Sequence, residues 1–343
     1  METFLDWQRL KNPVLSLDDW SLKDACVLYH EGLFHVFTSA FSEERSTLAY
    51  VTTPDWQQFS DFQLHLTGER LGATGVCSPS ILETEGTFVL SFNTWGQGKR
   101  NQLYAMRTRD FTHWSDIKPV AANLTRGRRC IDLALTTHGG HWIGVWREGA
   151  NTTRFAASET LDGDWSWIGD GVGKLHPAAG TDPAERTMHH ENFQLLMIDD
   201  VPHLLCTNYD PHHPWLYRMA GEPDDLTAWT EWRDGYRLMI PSQRFNSIPE
   251  DQPCVANDDF RRPLYPCWDD PDGVYIVDGL DNAAFLCDWR EHNGFYVLLY
   301  AGKNERRRNA FNGRAGKRSW PRGWNRLGLA RSRDLVHWIP AGR

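Results

Sequence analysis

Residues 22–37 read LKDACVLYHEGLFHVF, and this stretch decides the fold because the chain repeats its pattern. An acidic residue, Asp24, opens an apolar run, and a turn residue, Gly32, follows eight residues later. A second apolar run completes the unit. Runs of β-branched and aromatic residues on both sides of a turn residue are typical of two strands joined by a tight turn. The stretch therefore predicts a β-hairpin whose first strand begins at an acidic side chain.

The same pattern returns along the chain. It opens at Asp132 within residues 129–146 and at Glu191 within residues 189–206, with Gly140 and Asp199 as the turn residues eight positions later, and Ser78 holds the corresponding place in another copy. The four opening residues are separated by 54, 54 and 59 positions. A nearly constant spacing of this length indicates a repeat protein in which each copy is one supersecondary unit.

A second repeated signature sets the register of these units. A short strand is followed by a polar turn, an Asp and, four residues after the Asp, an aromatic residue. The Asp is expected to cap its own backbone, and the aromatic residue to begin the next strand and pack on the sheet. The copies are residues 47–59, 102–114, 216–229 and 326–338, with a degenerate copy at 153–165.

Each unit therefore reads as four strands, and five units lie roughly 55 residues apart. This arithmetic predicts an all-β protein, a five-bladed β-propeller of four-stranded antiparallel blades. We expect a single domain over residues 1–343. Two insertions, at about 233–279 and 303–324, lengthen the last unit and are expected on the same face as the acidic residues.

The composition excludes several classes of protein. Of 343 residues, 41% are hydrophobic and 13% aromatic, which is typical of a globular protein rather than a disordered one. The net charge of −9 argues against a nucleic-acid partner. The seven Cys form no CxxC pair, so we expect buried reduced thiols rather than a zinc site. Most of the 17 Trp are expected to pack the blades.

The hydrophobic segments are short. None approaches the roughly 18 apolar residues that span a membrane. Residues 1–13 also lack the apolar centre of a signal peptide. We therefore expect a cytoplasmic protein without a membrane partner.

The acidic residues at the starts of the units indicate a chemistry. A cap or a salt bridge to Arg is the ordinary explanation for any one buried acid. Three acids at one end of a propeller axis repel one another, however, so stability alone does not explain the set. Cleavage of a glycoside uses two carboxyl groups, one to protonate the leaving oxygen and one to activate water or attack carbon. Close like charges also raise the pKa of one member, which keeps a proton available.

With this blade pattern and these acids, the chain resembles the five-bladed propeller glycosidases, most closely glycoside hydrolase family 43 and the related family 117. In family 43 the catalytic acids lie on the first strands of the first, third and fourth blades, where this chain has Asp24, Asp132 and Glu191. The resemblance implies that Asp24 is the general base, that Asp132 tunes the pKa of the acid and orients it, and that Glu191 is the general acid.

The chain departs from the family motifs directly after Asp24 and directly after Glu191. Ala25 follows Asp24 where the family often has Pro, and Asn192 follows Glu191 where it often has Gly-Pro or Ala-Pro. The Asn-Asp-Pro-Asn, Arg-Asp-Pro and Glu-Cys motifs of the invertase-like relatives are absent, which favours inversion over retention. An inverting enzyme predicts carboxyl groups about 6.5–9.5 Å apart. The long insertions favour exo-action on short oligosaccharides.

Residues in the loops around the acids are predicted to bind the carbohydrate substrate. Trp95 is a candidate for stacking on a sugar ring. Arg147 is a candidate for holding a hydroxyl or carboxylate group, and its ordinary alternative is a salt bridge to Glu148 or a loop acid. Tyr209 and Asp210, in another of these loops, are candidates of the same kind, and Asp281 and Asn282, which open the first strand of the fifth blade, are further candidates.

Two histidines directly precede the predicted general acid. His189 and His190 are candidates for binding hydroxyl groups, for tuning Glu191 or for holding a metal ion. A metal site needs three or more convergent ligands. Neither a metal nor another cofactor is predicted.

The second insertion is strongly basic. Residues 303–322 hold eight Lys or Arg against a single acid, Glu305. A solvated loop or a contact in a homodimer is the ordinary explanation. Recognition of an anionic sugar, such as a uronate or a sulfated unit, is the more specific hypothesis.

Three other functions remain open at this point. A propeller that binds sugar without cleaving it would bind ligand and show no turnover. A phosphorylase of the family 130 type would hold phosphate with Arg, Lys or His in the loops and depend on phosphate. A protein-interaction propeller would have its acids in salt bridges.

Overall fold

The computed structural model describes residues 4–17, 20–42, 45–96, 100–181, 190–209, 212–240, 264–266, 274–276, 280–303 and 325–342. Within these ranges the chain is almost entirely β. Five sheets of four antiparallel strands follow one another along the chain, and one of them carries a fifth, parallel strand at its edge. This is the five-bladed β-propeller that the repeats predicted.

The chain forms two compact units, and the first holds the first and fifth blades. This unit runs up to His65 and resumes at Leu238. The strands of the first blade are β1 (Ser21–His30), β2 (Leu33–Ser42), β3 (Arg45–Thr53) and β4 (Gln63–Thr67), in that order across the sheet.

The second unit holds the three middle blades. The second blade contains β5 (Gly75–Thr84), β6 (Thr87–Trp95), β7 (Leu103–Thr108) and β8 (Lys118–Pro119). The third contains β9 (Cys130–His138), β10 (His141–Glu148), β11 (Thr152–Ser158) and β12 (Ser166–Val172). The fourth contains β13 (Lys174–Pro177), β14 (His190–Ile198), β15 (Val201–Tyr209), β16 (His212–Met219) and β17 (Glu231–Arg237), with β13 parallel to β17 at the edge.

The remaining elements belong to the end of the chain and to short connections. A two-stranded hairpin pairs β18 (Leu264–Pro266) with β19 (Val274–Ile276). The fifth blade contains β20 (Leu280–Trp289), β21 (Phe295–Lys303), β22 (Asn325–Ser332) and β23 (Ile339–Pro340). The helices of the described ranges are α1 (Ala122–Thr125), α2 (Arg290–Asn293) and the 3₁₀ turns Trp7–Arg9, Gly68–Leu71 and Leu226–Thr230. No helix in these ranges is long and apolar enough to cross a membrane.

The insertions fall largely outside the described residues. The first was predicted to begin at Arg233, but the chain continues in β17 to Arg237. Lys303, where the second was predicted to begin, is the last residue of β21. The single-domain assignment and the position of the insertions on one face therefore stay predictions.

Tight turns join the first two strands of four blades. Both central residues have positive φ, as in a type I′ hairpin, whose twist matches that of the flanking strands. The first blade uses Glu31 (φ 48°) and Gly32 (φ 84°), and the fourth uses Asp199 (φ 50°) and Asp200 (φ 62°). The predicted hairpins are confirmed.

The N-terminal segment packs against the fifth blade within the first unit. Leu15 bridges to Leu327 of β22. The buried side chain of Asn12 donates to the carbonyl of Leu329 at 2.9 Å and accepts the N–H of the same residue at 2.8 Å. The amide thus replaces a strand partner for β22, which ties the start of the chain to its end.

Tryptophan side chains and cysteine thiols pack inside the blades, as expected from the sequence. The fully buried Trp side chains include Trp56, Trp146, Trp165, Trp215, Trp229 and Trp232. The five Cys of the described ranges are buried and form no disulfide bond. Burial raises the pKa of the Cys130 thiol to about 12, so this thiol is uncharged at neutral pH.

The predicted Asp turns have the expected cap and one feature that the sequence did not reveal. Asp110 Oδ1 accepts the N–H groups of Thr112 and His113, both at 2.8 Å. Phe111, between them, is buried at a positive φ of 57°. Thr108 Oγ1 accepts its N–H at 3.0 Å. The turn therefore holds an apolar residue in the left-handed region by satisfying its backbone.

Replacing Asp110 by Asn tests the charge on this cap. Hydrogen bonds from the backbone N–H of His113 first, and then from its ring and from Thr112, hold the pKa of Asp110 well below its usual range. Because the pKa of Asp110 is lower in the folded protein, its ionised carboxylate stabilises the fold. This stabilisation is present above the unfolded pKa of about 3.9 and is lost as the pH falls toward the folded pKa. We expect the variant to melt below the wild type at pH 7, with a difference in Tm that shrinks toward pH 2. The same difference in Tm at pH 7 and pH 2 would contradict this account.

Candidate active site

A β-bulge interrupts each first strand close to its start. In the first blade two residues, Asp24 and Ala25, lie between the pairs Lys23–Ser39 and Cys26–Phe37. Equivalent breaks follow Cys77 in β5, Ile131 in β9 and Glu191 in β14, and a longer break of three residues follows Leu280 in β20. A bulge redirects the side chains next to it and ends regular pairing, and such bulges are common beside active sites.

The first bulge residue has a left-handed backbone in four blades. These residues are Asp24, Ser78, Asp132 and Asn192, with φ of 50°, 56°, 61° and 50°. Asp and Asn tolerate this conformation better than most residues because their short polar side chains bond locally. The bulge therefore explains part of the repeated polar position without any catalytic role.

Glu191 does not occupy the same slot as the other acids. It precedes the bulge of its blade, where the other blades have Lys23, Cys77 and Ile131. The sequence assignment was wrong by one position. It took Asp199 as the equivalent of Gly32, whereas the second turn residue of the fourth blade is Asp200.

All three predicted catalytic acids are nevertheless buried. Asp24 is 4% exposed in the first unit, and Asp132 and Glu191 are 6% and 8% exposed in the second. A buried carboxylate is costly unless it is paired, hydrogen-bonded or engaged by a ligand. The partners of each acid therefore decide what it can do.

Asp24 has a cation beside it. Its Oδ1 lies 3.5 Å from Nζ of Lys23, whose backbone carbonyl accepts the Thr38 hydroxyl at 2.9 Å. Lys23 Nζ also lies 5.6 Å from the centre of the Phe41 ring. The positive charge favours the ionised form of Asp24, which is the form that a general base needs.

Asp132 is held through its backbone. Its N–H donates to Oδ1 of Asn93, on β6 of the preceding blade, at 2.8 Å. Within the described part of the chain its carboxylate forms no ion pair. Asp132 thus combines burial with a fixed backbone and a carboxylate that lacks a charged protein partner in these ranges.

Glu191 forms a buried ion pair with Arg147. Arg147 Nη1 donates to Glu191 Oε2, and both side chains are 10% exposed. Arg147 Nε donates to the carbonyl of Ala150 at 2.7 Å, and Nη2 donates to the same oxygen. The guanidinium is therefore fixed by its own loop, and its charge favours the ionised form of Glu191.

The predicted alternative partner of Arg147, Glu148, is engaged elsewhere. Its carboxylate accepts from Arg128 Nη1 at 3.1 Å and from Arg154 Nη2 at 3.2 Å. The ion pair considered as the alternative role of Arg147 is present, but its partner is Glu191 and not Glu148. Adjacent residues of a strand point to opposite faces, so Glu148 and Arg147 serve different neighbours.

Among the other binding candidates in the described ranges, His190 is buried against a tyrosine. It is buried at the start of β14, and its Nε2 lies 3.3 Å from the hydroxyl of Tyr217. The two rings meet edge to face with centres 5.9 Å apart. Burial raises the pKa of Tyr217, so its hydroxyl keeps its proton. Trp95 ends β6 and is half-buried.

The remaining predicted residues lie at strand ends or outside the described ranges. His189 and Asp210 lie outside the described residues. Tyr209 ends β15, and Asp281 and Asn282 lie in β20 at the break in its pairing. In the described ranges, no three His, Cys, Asp or Glu side chains come together as metal ligands would.

Sequence reasoning missed Asn93 as a member of this site. It lies on a second strand, in the run FVLSFNTW, two residues before the predicted binding residue Trp95. A polar amide inside an otherwise apolar strand was the available signal, since buried polar side chains are expected to have hydrogen-bond partners.

Solved structures share this fold over nearly the whole chain. A protein of the glycoside hydrolase family 130 of mannoside phosphorylases, which contains glycoside hydrolases that target β-1,2 mannosidic linkages in Candida mannan, covers 97% of the chain at 14% identity. The chain covers 94% of that protein, with a TM-score of 0.57. The fold is that of the five-bladed propeller glycosidases. The predicted resemblance is confirmed at the level of fold.

Two arabinanases show the same likeness. An exo-1,5-α-L-arabinanase from a bovine ruminal metagenomic library covers 97% of the chain at 11% identity, with 99% of its own length matched and a TM-score of 0.55. A family 43 endo-arabinanase from Bacillus licheniformis covers 92% at 9% identity, with 94% of its own length matched and a TM-score of 0.51. No protein-family model and no curated protein matches the chain. At these identities the likeness describes the fold, and it favours neither family over the other.

Proposed function

We propose that this protein is a glycoside hydrolase, inverting and exo-acting on a short oligosaccharide. Asp24 is the general base, Asp132 tunes and orients the acid, and Glu191 is the general acid. The observation that carries the proposal is Asp132. A buried carboxylate on a fixed bulge, with no ion-pair partner in the described ranges, is suited to act on a ligand or on a second carboxyl group.

The proposed reaction has two proton transfers, one from the attacking water and one to the leaving oxygen. Asp24, which lies beside the ammonium group of Lys23, accepts a proton from the attacking water. Glu191 gives a proton to the leaving glycosidic oxygen. Asp132 adds a second negative charge, which favours a protonated Glu191.

Arg147 opposes this protonation in the ligand-free protein. An ion pair favours the carboxylate, whereas a general acid must carry a proton. The proposal therefore requires the pair to loosen when substrate enters. Hydroxyl or carboxylate groups of a sugar can take over the guanidinium, which is the binding role predicted for Arg147.

A phosphorylase of the family 130 type is the second candidate. The group of arginines around the end of β10 favours it, since Arg128 and Arg154 hold Glu148 and Arg147 holds Glu191. Phosphate binds to such guanidinium groups in bidentate fashion.

A propeller that only binds a partner accounts for some of the contacts. It predicts acids in salt bridges, and Asp24 and Glu191 each have one. It does not account for Asp132, which lacks such a bridge within the described ranges. The basic insertion, a homodimer contact and recognition of an anionic sugar stay predictions, because residues 304–324 lie outside the described ranges.

A cleavage panel separates these functions. We expect the purified protein to cleave at least one member of a set of nitrophenyl glycosides and plant or algal oligosaccharides, at a rate that added phosphate does not change. Cleavage that depends on phosphate identifies the phosphorylase. Binding of a sugar without cleavage of any member would overturn the enzymatic proposal.

A further inference from the structure

Asn93 is a fully buried amide whose hydrogen bonds define its orientation. It is 0% exposed. Its Nδ2 donates to the carbonyl of Thr94 at 3.0 Å and points to Sγ of Cys77 at 3.3 Å. Its Oδ1 accepts the N–H of Asp132 at 2.8 Å. Because a backbone N–H can only donate and a carbonyl can only accept, both contacts require the same orientation of the amide.

Asn93 and Arg147 hold the same place in successive blades. Asn93 pairs across the sheet with Cys77, the residue before the bulge of the second blade. Arg147 pairs with Ile131, the residue before the bulge of the third blade. Each side chain reaches the first strand of the following blade. Asn93 accepts a hydrogen bond from the backbone N–H of Asp132, and Arg147 donates one to the carboxylate of Glu191.

The bulge at Asp132 needs such a partner. A bulge removes one residue from the regular strand pairing, and a buried N–H without an acceptor is unfavourable. Asp132 also has a φ of 61°, which is uncommon for a residue other than glycine. The Asn93 carbonyl oxygen satisfies the N–H in this conformation, so it fixes the backbone from which the carboxylate projects.

We propose that Asn93 is a positioning residue that acts through Asp132. The amide locks the left-handed bulge and thereby sets the direction of the Asp132 carboxylate. This inference rests on the proposed function for its effect on turnover, whereas its structural part concerns the backbone of Asp132 alone.

Ser91 provides a matched control on the same strand. Its buried hydroxyl lies 3.1 Å from the carbonyl of Leu133 and 3.2 Å from that of Ser80. It therefore bridges the same two blades at the second residue of the same bulge, Leu133, without contacting Asp132. Ser91→Ala removes an equally buried hydrogen-bonding group and leaves the Asn93 contact in place.

The test compares Asn93→Ala with Ser91→Ala in the full chain, by amide hydrogen exchange of Asp132 and by kcat and KM. In Asn93→Ala we expect the Asp132 amide to lose protection and kcat to fall up to about 100-fold at nearly constant KM, because small displacements of a catalytic group are costly. Ser91→Ala is expected to keep protection of that amide and to stay within a few-fold of wild-type kcat. Asn93→Asp, which retains the acceptor oxygen, is expected to retain amide protection.

The outcomes separate the inference from the proposed function. Unchanged protection of the Asp132 amide in Asn93→Ala overturns the inference, as does an equal fall in kcat in both alanine variants. If the wild type cleaves no glycoside, the proposed function fails, and the exchange of the Asp132 amide still decides the role of Asn93. Asn93→Ser replaces the alanine variant if that variant does not fold, because its hydroxyl is too short to reach the amide.

Discussion

Replacing Glu191 by Gln is expected to lower kcat by about 10² to 10⁴-fold on substrates with a poor leaving group, because the variant has no proton to give to the departing oxygen. The loss is expected to be much smaller on dinitrophenyl glycosides, whose leaving group departs without protonation. Rates on a matched pair of substrates, one natural oligosaccharide and one dinitrophenyl glycoside, measure this difference.

Glu148→Gln is the control for this variant. Glu148 also forms ion pairs with arginines, but these are Arg128 and Arg154, and it does not contact Glu191. We expect its turnover to stay within a few-fold of the wild type on both substrates. If Glu191→Gln lost equal activity on both substrates, or kept wild-type turnover, Glu191 would not be the general acid.

Replacing Arg147 by Met is expected to lower the free energy of unfolding by about 3–5 kcal/mol, because it leaves the buried carboxylate of Glu191 without its cation. The double variant with Glu191→Gln is expected to regain part of this loss, since the neutral amide needs no counter-ion. Urea unfolding of the single and double variants measures both effects.

Arg128→Met serves as the comparison for this loss of stability. Arg128 also contacts a carboxylate, Glu148, but its side chain is 50% exposed. An ion pair at that exposure contributes between 0 and about 1 kcal/mol. A stability loss in Arg147→Met as small as that in Arg128→Met would show that the Arg147–Glu191 pair does not support the fold.

The fold could be predicted because its signals are local and repeated. The turn at Glu31 and Gly32 and the cap at Asp110 are each decided by residues within a few positions of one another, and five copies average out errors in any one. The left-handed Phe111 could not be foreseen, because an apolar residue gives no sign of positive φ. It is stabilised by Thr108, whose role emerges only from the folded turn.

The site was harder to predict because its contacts join residues that are distant in sequence. Arg147 and Glu191 were both singled out, but their pairing depends on how adjacent blades pack and not on spacing. Asn93 was missed for the same reason. The misplaced slot of Glu191 shows a different difficulty, since Asp199 and Asp200 are equally good turn residues and only the observed backbone distinguishes them.

The most direct test of the central claim is the anomer that the wild-type protein releases first from a substrate of known configuration, followed by proton NMR before the sugar mutarotates. The account predicts hydrolysis with inversion, so that a β-linked substrate gives the α-anomer of the free sugar first and an α-linked one gives the β-anomer. Release of the anomer with unchanged configuration, or of a sugar phosphate in phosphate buffer, would contradict it.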